Sequence, residues 1–98
     1  MQSRHFDNRQ YFNELVITSQ KFFLPYIESF IKISDGLKIL EIGCGEGGIL
    51  LPFARKGCSV VGVDLDSKKI DVATSIFAEE GAAGRFIAED VLDRKSVV

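Results

Sequence analysis

A chain of 98 residues, 46% apolar and 27% charged, has the make-up of one soluble globular domain near the lower edge of the usual size range. Its 12 basic and 14 acidic residues leave a net charge of −2, which argues against nucleic acid or an anionic membrane surface as its main partner. No apolar run approaches the roughly 18 residues that span a bilayer.

The opening "MQSRHFDNRQ" is too polar for a signal peptide. Its lone histidine, His5, is expected to be unstructured and without function. From about Asn8 to Ile33, apolar residues recur at helical spacing: Phe12, Leu15 and Val16, then Phe23, Ile27, Phe30 and Ile31. That pattern predicts two helices or one kinked helix. Thr18 and Ser19 can cap a second start, and Pro25 disfavours an unbroken ladder. The aromatic residues Tyr11, Phe12, Phe22, Phe23 and Tyr26 are read as plain helix packing in preference to a lid over a ligand. "SDG" at 34–36 marks a turn.

The pattern then changes. "LKILEI" (37–42) is short, apolar and followed by glycine, so it reads as a buried strand. "GGILLPFARKG" (47–57) reads as a helix closed by Gly57, with Pro52 an awkward feature in its first turns. "CSVVGVD" (58–64) is a second buried strand. "SKKIDVATSIFAEEG" (67–81) is an amphipathic helix whose face carries Ile70, Ala73, Ile76 and Phe77 and which Gly81 stops. "RFIAED" (85–90) is the third strand. Strand, helix, strand, helix, strand at this spacing predicts an α/β fold, a Rossmann-like three-layer αβα half-domain with helices on both faces of a short parallel sheet of order 3-2-1. Residues 1–36 form an N-terminal helical segment, and 37–98 the half-domain.

In such sheets ligands bind at the carboxyl ends of the strands. Gly43, Gly45, Gly47 and Gly48 lie there, where bare backbone lets a ligand approach and a helix start adds unpaired N–H groups. Asp64 ends the second strand, 21 residues beyond Gly43 (64 − 43), the position from which a carboxylate accepts hydrogen bonds from a ribose diol. Asp66 and Ser67 are better placed than Asp64 to cap the following helix. Gly43, Gly45 and Gly48 also satisfy G-x-G-x-x-G, so a dinucleotide-binding dehydrogenase domain fits this far. Glu41 and Asp90 decide against it. A carboxylate at Glu41 would repel a pyrophosphate and attract an ammonium or sulfonium group. Asp90, ending the third strand, offers an acceptor to an adenine amino group. The ligand described is adenosine at one end and a cationic amino acid at the other: S-adenosyl-L-methionine.

Here the sequence resembles the class I S-adenosylmethionine-dependent methyltransferase family. Residues 41–47 match its acidic-x-G-x-G-x-G motif, "VVGVDLD" its second motif and "FIAEDV" its third. The resemblance spans about residues 37–92. It implies that Gly43 and Gly45 line the methionine moiety beside Glu41, that Asp64 holds the ribose, and that Leu65 packs on the adenine. Asp90 would bind the adenine amino group and the Val91 N–H a ring nitrogen, with loop backbone from Cys44 and Glu46 lining the same cavity. The implied reaction is in-line attack of a substrate O, N, S or C atom on the sulfonium methyl, with the methyl acceptor unidentified. No residue here makes a convincing general base, and no catalytic or metal-binding residue is assigned.

Family members carry further strands, and this chain ends at "DRKSVV", where a fourth strand is due. The chain therefore reads as the cofactor-binding half of such an enzyme, inactive or nearly so alone. Its first strand would be an exposed apolar edge able to pair with a second copy as a homodimer. Two cysteines, Cys44 and Cys58, make no disulfide framework and fit a reduced cytoplasmic protein. Cys44, flanked by glycines, is expected there for its small size. The rival readings are an NAD-binding oxidoreductase domain and a non-catalytic nucleotide-binding or assembly module.

Overall fold

A computed structural model describes residues 4–90. The elements are α1 (Arg4–Thr18), a π-helical turn (Ser19–Phe23), α2 (Leu24–Glu28), β1 (Lys38–Ile42), α3 (Leu51–Arg55), β2 (Ser59–Asp64), α4 (Ser67–Glu79) and β3 (Arg85–Ala88). The strands form a parallel sheet in which β2 is central and β1 and β3 are its edges. Ile39 pairs with Val60 and Glu41 with Gly62, while Gly62 in turn pairs with Phe86. Paired residues of parallel strands share a face, so Ile39, Glu41, Val60, Gly62, Asp64 and Phe86 lie on one side.

That side carries the core. Val60 is buried there with Leu50, Leu51, Phe53, Ile70, Ile76 and Phe77, and Ile39 and Phe86 pack against them. The α4 stripe expected from periodicity, Ile70, Ala73, Ile76 and Phe77, is buried throughout. Phe77 meets Phe86 edge to face at 4.7 Å between ring centroids, the geometry that ring quadrupoles favour. Asp66 caps α4 by accepting from the N–H groups of Lys68 and Lys69 at 2.9 and 3.4 Å. Gly57 and Gly81 take positive φ just past α3 and α4. The N–H groups of Cys58 and Ala82 donate back to Phe53 and Phe77, the Schellman arrangement that glycine permits.

The opposite face differs from expectation. Leu40 and Ile42 are 63% and 58% exposed, and neither they nor Val61, Val63 and Ile87 join the core cluster. The helical layer expected there is not among the described residues, so the described sheet is covered on one side.

Three local expectations are corrected. Helix α1 begins at Arg4, ahead of Asn8, so the backbone at His5 is helical. Thr18 caps nothing: its φ and ψ are helical and its side chain makes no cap hydrogen bond. The chain instead widens into a π turn before Pro25, whose ring excludes an ordinary hydrogen bond to the fourth residue back. Helix α3 has only five residues, because residues 47–50 wind in turns, and Pro52 sits comfortably in its first turn.

Candidate cofactor-binding site

At the carboxyl ends of β1 and β2 the glycine loop encloses a cavity of about 310 Å³, within the size range of small-molecule sites. The floor is Glu41 from β1 and Asp64 from β2, the wall is loop residues 43–46 and Ile49, and Lys69 of α4 stands at the rim. Tyr11, Phe12 and Leu15 of α1 complete the lining.

The four glycines have different tasks. Gly43 and Gly45 have φ of +78° and +58°, and a Cβ on either would meet no protein atom within 4 Å. Their backbone faces open space in a conformation costly to other residues. A Cβ at Gly47 would sit 3.1 Å from Phe77 and 3.2 Å from Phe86, and one at Gly48 would sit 2.8 Å from the Leu15 Cβ. Gly47 and Gly48 therefore serve packing, not ligand approach.

The loop does not present a ring of free N–H groups. Gly43 and Cys44 donate to the Val63 carbonyl at 2.7 and 3.0 Å, and Gly47 donates to Cys44. Gly45 donates to Asp64 Oδ2 at 2.8 Å. With α3 beginning only at Leu51, the expected helix start beside Gly43 and Gly45 is displaced. The loop is held by its own chain and is poorly suited to cradle phosphate.

Asp64 is tied in this way to both sides of the site. Its other oxygen accepts from the Asp66 N–H at 2.9 Å. That bond, helped by the one from Gly45 and by the Lys69 charge, holds the Asp64 carboxyl below its ordinary range despite burial. Glu41 is the opposite case. Burial, and then the negative charge of Asp64, pushes its pKa up to about 7. Its Oε1 is buried without a hydrogen-bond partner, a costly state that a cationic donor in the cavity would relieve. Cys44 is buried over Gly62, where an added Cβ would come within 2.6 Å of its Sγ, so the strand beneath it is kept bare. Burial, with Glu41 and Asp64 adding to it, raises its thiol to about 11, which leaves it protonated and a poor nucleophile.

Glu41, Gly43, Cys44, Gly45, Glu46 and Asp64 thus converge on one cavity. Leu65 and Asp90 do not line it: both are exposed, Leu65 by 71%. Val91 lies outside the described residues. Phe12 is buried as expected of packing, but Phe22, Phe23 and Tyr26 are exposed.

The sequence model of the methyltransferase-domain family matches residues 39–96, a span that includes the whole loop and all three strands but for Lys38 at the start of β1. The chain belongs to the class I S-adenosylmethionine-dependent methyltransferases. It is 46% identical over 55 residues to a ubiquinone biosynthesis O-methyltransferase of Chelativorans sp. (strain BNC1), a match covering 56% of this chain and 22% of that protein. It is 59% identical over 39 residues to the enzyme of the same name from Bartonella tribocorum, covering 40% and 16%. The chain therefore spans about a fifth of the length of the curated relatives it matches. The magnesium protoporphyrin IX methyltransferase of Synechocystis PCC 6803, solved with bound SAH, superposes with a TM-score of 0.69 at 22% identity, over 81% of this chain and 36% of that one; this is a likeness of fold.

Within this methyltransferase fold, sequence reasoning missed Tyr11, Leu15, Ile49 and Lys69 as cavity residues. Lys69 had a signal: a cation in the first turn of a helix opposes the helix dipole and invites another explanation. Gly48, counted in the sequence with the ligand-end glycines, instead packs against Leu15 and Phe12 of α1.

Proposed function

We propose that this chain binds S-adenosylmethionine and its product S-adenosylhomocysteine through the cavity at Glu41, Gly43, Gly45 and Asp64, as the cofactor half of a methyltransferase. The observation that carries the reading is the orphaned, buried carboxylate oxygen of Glu41. It stands at the end of β1, beside a loop whose N–H groups at Gly43, Cys44, Gly45 and Gly47 already have partners. An ammonium group satisfies Glu41, whereas a pyrophosphate would face two carboxylates and few free donors. The cofactor supplies the electrophilic methyl. Glu41 holds the amino-acid end, the bare backbone of Gly43 and Gly45 lets it lie close, and Asp64 accepts from the ribose hydroxyls with the lone pairs its two backbone bonds leave free.

Leu65 and Asp90, beyond this cavity, belong to the adenine end, and the Val91 N–H is assigned to the same end by the family resemblance. Residues 1–36 act as a helical cover, and 37–98 as the cofactor-binding half. Oxygen is the acceptor atom we favour, because the matched relatives are O-methyltransferases. The two unpaired cysteines support a reducing, cytoplasmic setting, and no helix among the described residues is long and apolar enough to cross a membrane. The exposed edge of β1 supports pairing with a second copy.

Calorimetric titration tests the cofactor. S-adenosylhomocysteine should bind and NAD should give no response, with Asp64→Asn weakening the former by about tenfold or more. NAD binding with no S-adenosylhomocysteine signal would favour the oxidoreductase reading.

A further inference from the structure

The side chain of Ser19 is buried (0% exposed) and lies at the first position of the π turn. Its hydroxyl donates to the carbonyl of Ile49 at 2.7 Å, 30 residues away in sequence. A helical serine commonly bonds a carbonyl of its own preceding turn; this one reaches across to the glycine loop. Its acceptor residue, Ile49, is itself part of the cavity wall. Ser19 thus joins the end of α1 to the segment that shapes the cavity.

Gly48 completes the same joint. It does not need glycine for its backbone, since its φ lies outside the left-handed region. It needs glycine because α1 lies directly on it, with the Leu15 Cβ and the Phe12 carbonyl oxygen 2.8 and 3.0 Å from where a Cβ would be. One turn of α1 is thus seated on Gly48, and the next is fastened by Ser19. From that seat Tyr11, Phe12 and Leu15, at positions i, i+1 and i+4 of one helix face, line the cavity.

We propose that α1 is the roof over the amino-acid end of the cofactor cavity, and that Ser19, through its bond to Ile49, is the positioning residue that latches it shut. The roof covers the end marked by Glu41, Gly43 and Gly45. The residues assigned to the adenine end, Leu65 and Asp90, stand outside the roofed cavity. Covering the charged end removes water from around Glu41 and its partner, which strengthens their attraction, and it shields the methyl-bearing region from solvent. The proposal rests on the cofactor reading above, and it makes a demand that reading does not: loosening α1 should cost the amino-acid end of the ligand and spare the nucleoside end.

The test is a pair of titrations, S-adenosylhomocysteine and adenosine, on the unaltered chain, Ser19→Ala and Tyr11→Ala. Tyr11 is 62% exposed, so its truncation leaves the fold intact and keeps the test usable should Ser19→Ala fold poorly. Each variant is expected to bind S-adenosylhomocysteine about fivefold or more weakly while adenosine affinity stays within about twofold. Unchanged S-adenosylhomocysteine affinity in both variants would overturn the roof and leave the cofactor reading standing. Equal loss of both ligands would also overturn it, by showing a general loosening. Failure of the unaltered chain to bind S-adenosylhomocysteine would remove the cofactor reading and the roof together.

Discussion

Glu41 sets an unusual pH response. An ordinary glutamate loses its proton near 4.5, whereas burial and Asp64 keep the folded one protonated up to about 7. Between those values the folded chain holds a proton that the unfolded chain has released, so stability falls as pH rises from about 4.5 to about 7 and then levels off. Asp64 acts in the opposite sense. Its lowered folded pKa contributes stability that is present at neutral pH and lost as pH falls below the ordinary carboxylate value. Glu41→Gln removes the first effect alone. Chemical denaturation should find this variant more stable than the unaltered chain at pH 8, by on the order of 1 kcal/mol once solvent screening of a half-buried group is allowed for. The two should converge near pH 5. The same substitution should weaken S-adenosylhomocysteine binding, so the residue trades stability for a cation site. A variant no more stable at pH 8 than at pH 5, relative to the parent, would show that Glu41 is solvated normally.

Among the elements, legibility followed locality. The strand–loop–strand segment was readable because each signal lies within a few residues: an apolar run ending in glycine, a valine-rich run ending in Asp64, and the Asp66 cap. The stripe on α4 was readable because its period needs no partner to be recognised. The break in the first helical region was readable from its period and Pro25, and α1 and α2 are its two parts; its seat on residues 48 and 49, about 30 positions away in sequence, was not, because no periodicity encodes such contacts. The glycines of the loop look equivalent in a motif, yet Gly48 is explained only by its contact with α1, and Gly47 by Phe77 and Phe86 as well as by its positive φ of +89°. Gly62 shows the same limit inside β2. A strand glycine usually weakens a strand, but a Cβ here would lie 2.6 Å from Cys44 Sγ and 2.9 Å from Phe86. Gly62→Ala should therefore destabilise the fold by about 2 kcal/mol through overpacking, measurable by urea unfolding. A neutral outcome would mean that the loop can lift off β2 freely.

At the scale of the whole molecule, the sheet has one finished face and one that is largely bare, with Val63 its buried residue among those described. Leu40 and Ile42 stand exposed beside Val61 and Ile87, on an edge strand whose outer backbone groups have no neighbouring strand among the described residues. Such an edge invites a second chain. Light scattering should show an average mass that grows with concentration, and the double substitution Leu40→Lys, Ile42→Lys should abolish that growth while leaving thermal unfolding nearly unchanged. A parent chain that stays monodisperse at high concentration would argue against edge pairing.

The two buried thiols stand at opposite ends of β2: Cys58 immediately before it, and Cys44 bonded through its N–H to Val63 near its far end. Burial raises both thiol pKa values, with Asp35 adding to the effect at Cys58, so neither reacts until its surroundings open. The central strand consequently has a chemical clock at each end. Alkylation rates at the two sulfurs distinguish a sheet that opens as one cooperative unit from one that frays at the ligand end first.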